Sequence, residues 1–192
     1  TEEDLRRLAE NCVLDSWSQN KQVLLTADIS LEETDFAPIP TFGGSFDGGG
    51  HTISGLSLTQ SLSPAGLFGT LQPTAVVKNL TVQGTVTPGG DGLSVGGIVG
   101  ENFGTVENCT FIGTLSGKTN TGGIAGINYG TLRACRAEGS VTGDDRTGGI
   151  AGYNCGDLAS CRSSASVNTE SVDPTINPKD IRLDFSMDFS KT

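Results

Sequence analysis

At 192 residues the chain has room for one domain. Its 28 glycines and 6% aromatic content suit narrow, tightly turned β-coils better than a helical bundle. A formal net charge of −10 without a Lys/Arg cluster repels phosphate backbones and anionic headgroups, which argues against nucleic acid and membrane surfaces as partners, and no apolar run reaches the roughly 18 residues of a membrane span.

The chain divides into 1–17, 18–167 and 168–192. Thr1 to Cys12 reads as an amphipathic helix. Thr1 is a good N-cap, Asp4 stands where a capping box has Glu or Gln, and Glu2, Glu3 and Asp4 suit the positive end of the helix dipole. Leu5, Leu8, Ala9 and Cys12 make one apolar stripe. A solenoid end carries unpaired backbone groups and open core, so this helix is expected to cap it. Val23 to Leu31 alternates and predicts one strand; Glu32 to Pro40 predicts an acidic connector. Asp47 to Gly50 is a turn, after which His51 to Leu58 alternates again with Gly55 as a bend. His51, the chain's only histidine, reads as a turn residue closing a hydrogen bond, since no nucleophile or orienting carboxylate is marked beside it.

A repeat follows. Gly96-Gly97-Ile98-Val99-Gly100-Glu101-Asn102-Phe103-Gly104 returns 26 residues on, starting at Gly122, and again from Gly148. A fixed period in this range marks a stacked solenoid. The regular coils are 96–121, 122–147 and 148–173; a degenerate coil, 65–95, is lengthened at Gln72 to Thr74 and at Pro88 to Leu93. Period-2 pointing stacks Ile98, Ile124 and Ile150; Val106, Leu132 and Leu158; and Leu115, Val141 and Val167 as core columns, with Thr110, Arg136 and Arg162 outward. Cys109, Cys135 and Cys161 form a further inward column. Parallel Cβ vectors on coils ~4.8 Å apart disfavour disulfides, so a buried thiol ladder is expected. Cys12 and Cys155 complete five cysteines, with no zinc spacing among them.

Asn102, Asn128 and Asn154 are expected to form an amide ladder at a tight corner. Candidate binding residues are Asp91 in the Pro88 to Gly92 bulge, Asp144 and Asp145 in a solvated loop between the second and third regular coils, and the row of Phe103 and Tyr129 that changes to Cys155, which is expected to pack the corner and would stack on a sugar ring only if exposed. One Asp pair gives too few oxygens for calcium. No catalytic residue, metal site or cofactor is marked. After Val167 the repeat stops, and Ile181 to Phe189 alternates as an amphipathic strand expected to cover the last coil.

The stretch Ser45-Phe46-Asp47-Gly48-Gly49-Gly50-His51-Thr52-Ile53-Ser54-Gly55-Leu56, with Ala65-Gly66-Leu67-Phe68-Gly69, Val77-Lys78-Asn79-Leu80-Thr81-Val82 and the three Gly-Gly-Ile-(Val/Ala)-Gly coils, resembles the GLUG-motif family of bacterial surface proteins. The resemblance covers roughly 42–167 and implies an all-β, right-handed parallel β-helix, secreted or cell-surface, with no catalytic residues to carry over. Expected partners are host or environmental glycans or surface proteins, the module being a monomeric part of a larger chain. The competing expectations are an accessory module of a surface protease and a carbohydrate-active enzyme, a pectin-lyase-like polysaccharide lyase or hydrolase, which the outward column Thr110, Arg136 and Arg162 opposes because no stacked carboxylates are marked beside it. A chain that begins without Met and without a signal peptide reads as a mature fragment.

Overall fold

The computed structural model describes residues 1–31 and 36–168. The helix α1 (Glu2–Asn11) has the expected capping box: Thr1 Oγ1 accepts from the Asp4 backbone N–H at 3.3 Å, and the Asp4 carboxylate accepts from the Thr1 amine at 3.1 Å. Glu2 and Glu3 each pair with an arginine one turn on, Arg6 at 2.8 Å and Arg7 at 3.2 Å. The opposite stripe, Leu5, Leu8, Ala9 and Cys12, is buried in the same core as the first strands.

Behind the helix wind about five turns of parallel β-solenoid. A partial turn gives β1 (Gln22–Leu24) and β2 (Ile29–Ser30), and the next gives β3 (Ile39–Phe42), β4 (Ser45–Asp47) and β5 (Thr52–Leu58). Then come β6 (Phe68–Leu71), β7 (Val76–Lys78), β8 (Thr81–Val86) and the short β9 (Val95–Gly96). The first two regular coils give β10 (Val99–Asn102), β11 (Thr105–Glu107), β12 (Thr110–Gly122), β13 (Ala125–Asn128), β14 (Thr131–Arg133) and β15 (Arg136–Gly148). The last described coil gives β16 (Ala151–Asn154), β17 (Asp157–Ala159), β18 (Arg162–Ser163) and β19 (Ser166–Val167).

These strands stack into three walls. The first is β1-β4-β7-β11-β14-β17, the second β2-β5-β8-β12-β15-β18 and the third β3-β6-β10-β13-β16. Regular coils pair at an offset of 26, with Val99 opposite Ala125 and Ala125 opposite Ala151. The degenerate coil is longer at the two predicted places: Leu71 pairs with Asn102 but Val76 with Thr105, and Val86 pairs with Leu115 but Val95 with Thr121. Inside, the early turns are filled by Phe42, Phe46 and Phe68, whose centroids lie 5.4–6.3 Å apart in edge-on or tilted arrangements. Ile98, Val106, Phe111, Leu115, Ile124, Leu132 and Val141 fill the first two regular coils.

Several expectations need correction. Val23 to Leu31 is not one strand: β1 and β2 belong to different walls, with a corner at 25–28. The alternation survives because Leu25, at the start of that corner, and Ile29, just after it, are both buried. The connector ends earlier than Pro40, since Ile39 starts β3 with a buried side chain. Asp144 and Asp145 lie not in a loop but inside β15, where Thr119 pairs with Asp145. The columns also open towards the last coil: Leu158 is exposed, and Ile150, Cys161 and Val167 are only partly buried. The predicted strand Ile181 to Phe189, and 169–173 of the third repeat, lie outside the described residues.

The corner between the first and second walls holds a left-handed backbone in the degenerate coil, at Asn79 (φ 53°), and in each regular coil, at Asn108 (50°), Ala134 (51°) and Ser160 (55°). Where the residue is Asn, its side chain ties coils together. Asn108 Nδ2 donates to Asn79 Oδ1 at 2.9 Å, and Asn79 Nδ2 donates to Asp47 Oδ1 at 3.0 Å. The Asp47 carboxylate, held low chiefly by the Gly49 N–H and then by Asn79, is the acceptor that sets the direction of this chain of amides. Ala134 breaks it while bearing the left-handed conformation without compensation, at about 1–2 kcal/mol. Ala134→Asn should therefore raise stability by about 1 kcal/mol, seen as a higher urea midpoint at unchanged m-value.

Candidate functional site

The corner between the third and first walls carries the asparagine row, and its geometry is that of a tie. Asn102 Nδ2 donates to Asn128 Oδ1, and Asn128 Nδ2 to Asn154 Oδ1, both at 2.7 Å. The Asn102 Oδ1 accepts the Gly104 N–H at 3.1 Å, so the amide also closes its own turn. Asn102 and Asn128 are fully buried. Their donors run towards the C-terminal coils, opposite in direction to the Asn79–Asn108 chain.

Directly beside this row, Phe103 and Tyr129 stack at 4.8 Å with planes 12° apart. They are 40% and 45% exposed, so the row is a surface feature rather than corner filling. Stacking turns their faces towards one another along the solenoid axis and leaves mostly edges for a ligand. Cys155 follows them, exposed, and the neighbouring Tyr153 takes the Arg146 guanidinium at 5.1 Å from its ring. A hydrogen bond with Cys155 is the main cause holding the Tyr153 phenol above its ordinary value.

The cysteine column is free thiol. Cys109 donates to the Glu107 carbonyl at 3.3 Å, Cys135 to that of Arg133 at 3.3 Å and Cys161 to that of Leu132 at 3.4 Å. Burial pushes Cys109 far up and Cys135 up to about 12. Unfolded, each thiol ionises near 9.0. Between those values the unfolded chain binds fewer protons than the folded one, so stability is full below pH 9 and falls as pH rises. The expected slope is about 1.4 kcal/mol per pH unit for each thiol. A thermal melt series from pH 8 to 11 should show this decline, and Cys135→Val should flatten it. A maleimide should label Cys155 in the native protein and spare Cys12, Cys109 and Cys135 until unfolding.

The remaining candidates stay apart. Asp91 sits on the predicted bulge and faces Lys118 at 3.7 Å; Asp145 pairs with Arg146 at 3.6 Å, and Asp144 is exposed. Among the described residues no three His, Cys, Asp or Glu side chains converge as a metal site.

Three features escaped the sequence reading. Asp28 accepts from the Thr52 N–H at 2.9 Å and meets His51 Nδ1 at 3.1 Å. The carboxylate judged missing beside His51 thus comes from the preceding turn, where sequence distance hid it. Glu138 binds Arg136 Nε at 2.7 Å, so the outward arginine column does have one carboxylate beside it, visible in principle as an i, i+2 partner on one strand face. Between α1 and the first turn lies a cleft of about 460 Å³ lined by Leu5, Leu8, Trp17, Val23 and Leu24.

The model of a family described as the GLUG motif matches residues 91–116. The chain carries a GLUG motif. That segment runs from the bulge at Asp91 through β10 and β11 into β12, which is one complete GLUG coil. Halomucin of Haloquadratum walsbyi is 40% identical over 119 residues, covering 53% of this chain and 1% of that protein. The chain thus spans about a hundredth of the length of the relative it matches. A solved chain from Bacteroides ovatus, described as a candidate immunoglobulin A1 protease, aligns with 85% of this chain and 77% of its own length, at a TM-score of 0.53 and 19% identity. At that identity the likeness is one of fold. What the two structures share is the fold, and no helix among the described residues is long and apolar enough to cross a membrane.

Proposed function

We propose that this β-solenoid is a non-catalytic module of a secreted or cell-surface protein, a stiff stalk that holds binding surfaces away from its neighbours. The observation behind this reading is the use made of the repeat. The positions that recur from coil to coil, Asn102 and Asn128, Cys109 and Cys135, Ile98 and Ile124, bind coil to coil or fill the core. The charged column Asp47, Lys78, Glu107 and Arg133 on the first wall alternates in sign, with pairs at 3.3 and 3.9 Å, and also links turns. Adhesive contacts to glycans or proteins fall on what the repeat leaves free, including the Asp91 bulge and the Phe103 and Tyr129 row. The competing reading, a carbohydrate-active enzyme, places Arg136, Arg162 and Glu138 on one outward face. Two measurements test the proposal. Protease shaving of intact producing cells should release peptides of this module ahead of cytosolic markers; retention inside the cells overturns the surface reading. Incubation with polysaccharides and with immunoglobulin should yield no cleavage product, and any product overturns the non-catalytic reading.

A further inference from the structure

The second wall carries a pattern that the core and the ladders do not require. Ser57 pairs with Thr85, Thr85 with Thr114, Thr114 with Ser140 and Ser140 with Ser166, which gives one outward rank of hydroxyls through five successive coils. Two residues on, across the buried Val86, Leu115 and Val141, stands a second rank that includes Thr87, Ser116 and Thr142. Ser140 Oγ reaches Thr114 Oγ1 at 3.4 Å, so the side chains line up along the axis. Both ranks are exposed or partly exposed. Strand preference favours threonine, but only the second wall keeps hydroxyls through all five coils: the first wall holds Asp47, Lys78, Glu107 and Arg133 in one rank and Ser45, Val76, Thr105, Thr131 and Asp157 in the other, and the third holds Thr41, Thr70, Glu101, Ile127 and Tyr153.

We propose that this face binds an uncharged polysaccharide lying along the solenoid axis between the two ranks. Strands repeat at ~4.8 Å and alternate residues at ~6.8 Å. The first spacing is close to the advance of one sugar unit in an extended β-linked chain, and the second leaves a shallow furrow for a sugar ring. A hydroxyl both donates and accepts, so each rank can bond to sugar hydroxyls in either orientation. Charge decides the class of glycan. On a chain of net charge −10, no rank residue ionises; of the flanking charges Arg136 pairs with Glu138 at 2.7 Å and Lys118 with Asp91 at 3.7 Å, while Asp144 beside the second rank adds a negative charge that repels anionic chains. A neutral polyol is therefore matched, and a sulfated or uronic chain gains nothing. The threonines in the ranks, Thr85, Thr87, Thr114 and Thr142, are stiff at χ1, so these side chains lose little freedom on binding. This face goes beyond the stalk reading, and its test is independent of it: cell shaving reports location and is blind to what the second wall binds.

The test uses the full 192-residue chain. Retention is measured on insoluble cellulose and chitin, and migration is measured in native gels holding soluble mixed-linkage β-glucan or its carboxymethylated form. The wild-type chain should be retained or retarded by at least one neutral polymer and less by the anionic form. Thr85→Val with Thr114→Val keeps shape and strand preference while removing two central hydroxyls, and should weaken retention at least tenfold with an unchanged circular dichroism spectrum. Absence of retention on all neutral polymers overturns the proposal, as does equal retention by a folded double variant. If that variant does not fold, amide shift changes on the wild-type chain decide: changes centred on β8, β12 and β15 support the proposal, and changes centred on the Phe103 and Tyr129 row overturn it.

Discussion

Gly130→Ala is expected to be among the most destabilising single-methyl changes in this protein, costing about 3 kcal/mol, with Gly130→Val leaving no folded protein at 37 °C. A Cβ at Gly130 would run into the Gly104 carbonyl oxygen and the Phe103 backbone of the preceding coil. Those atoms have little freedom to yield, because Gly104 O already accepts the Thr131 N–H at 2.9 Å and Asn102 O accepts the Gly130 N–H at 3.0 Å. The clash is with main chain, so no rotamer change relieves it, and shifting the turn would pull β13 and β14 out of register with β10 and β11. Gly156 occupies the same corner one coil later, and its Cβ would meet Gly130 O in the same way. Its coil is far more exposed, so Gly156→Ala should cost less than Gly130→Ala. Urea midpoints of the two variants measure the difference. Equal, small effects would show that coils can move apart at this corner and that the stacking is loose.

The position of Gly130 was legible in the sequence because the 26-residue period makes every corner recur in one frame. The same is true of the Ile, Leu and Cys columns, since inward pointing is a property of strand parity and survives stacking. Legibility failed where a contact joins residues with no common period. His51 and Asp28 meet across an irregular early turn, and nothing in either local sequence announces the other. It failed again at Val23 to Leu31, because a corner with inward residues on both sides keeps the alternation of a straight strand. Asp144 and Asp145 look like loop residues by composition, yet β15 continues through them because its neighbour β12 supplies a paired edge across the same stretch. At Ala134 the left-handed corner has no chemical marker at all; only its register with Asn108 reveals it. The candidate site was the least legible part. Exposure of Phe103 and Tyr129 depends on which way a corner turns, and the twin hydroxyl ranks emerge only when strand register aligns residues from five coils.

Asn128→Ala should destabilise the fold by about 2–3 kcal/mol, while Asn154→Ala should cost under about 1 kcal/mol. Asn128 is the middle rung of the buried row. Its Oδ1 takes the Asn102 Nδ2 hydrogen bond at 2.7 Å, and its own Nδ2 serves Asn154 Oδ1 at 2.7 Å and the carbonyls of Gly130 and Asp157 at 3.3 Å. Truncation strips Asn102 Nδ2 of its shortest acceptor inside a fully buried corner, leaving the longer Thr131 carbonyl contact at 3.3 Å. It also leaves a cavity the size of an amide. Asn154 is exposed, so water can replace what its removal takes away, which is the reason for the gradient along the row. The double variant Asn102→Ala with Asn128→Ala separates the hydrogen bond from the cavities. If the amides act as a ladder, the double variant should be less destabilised than the sum of the singles by about 1–2 kcal/mol, because the second truncation no longer orphans a buried group. Strict additivity would mean that each asparagine acts alone as a turn residue through bonds such as Gly104 N–H to Asn102 Oδ1 at 3.1 Å. In that case the coupling between coils would rest on the backbone walls and the Ile, Leu and Cys columns, and an Asn-to-Asp substitution at 102, which keeps the acceptor for the Gly104 N–H but loses the donor, would be tolerated.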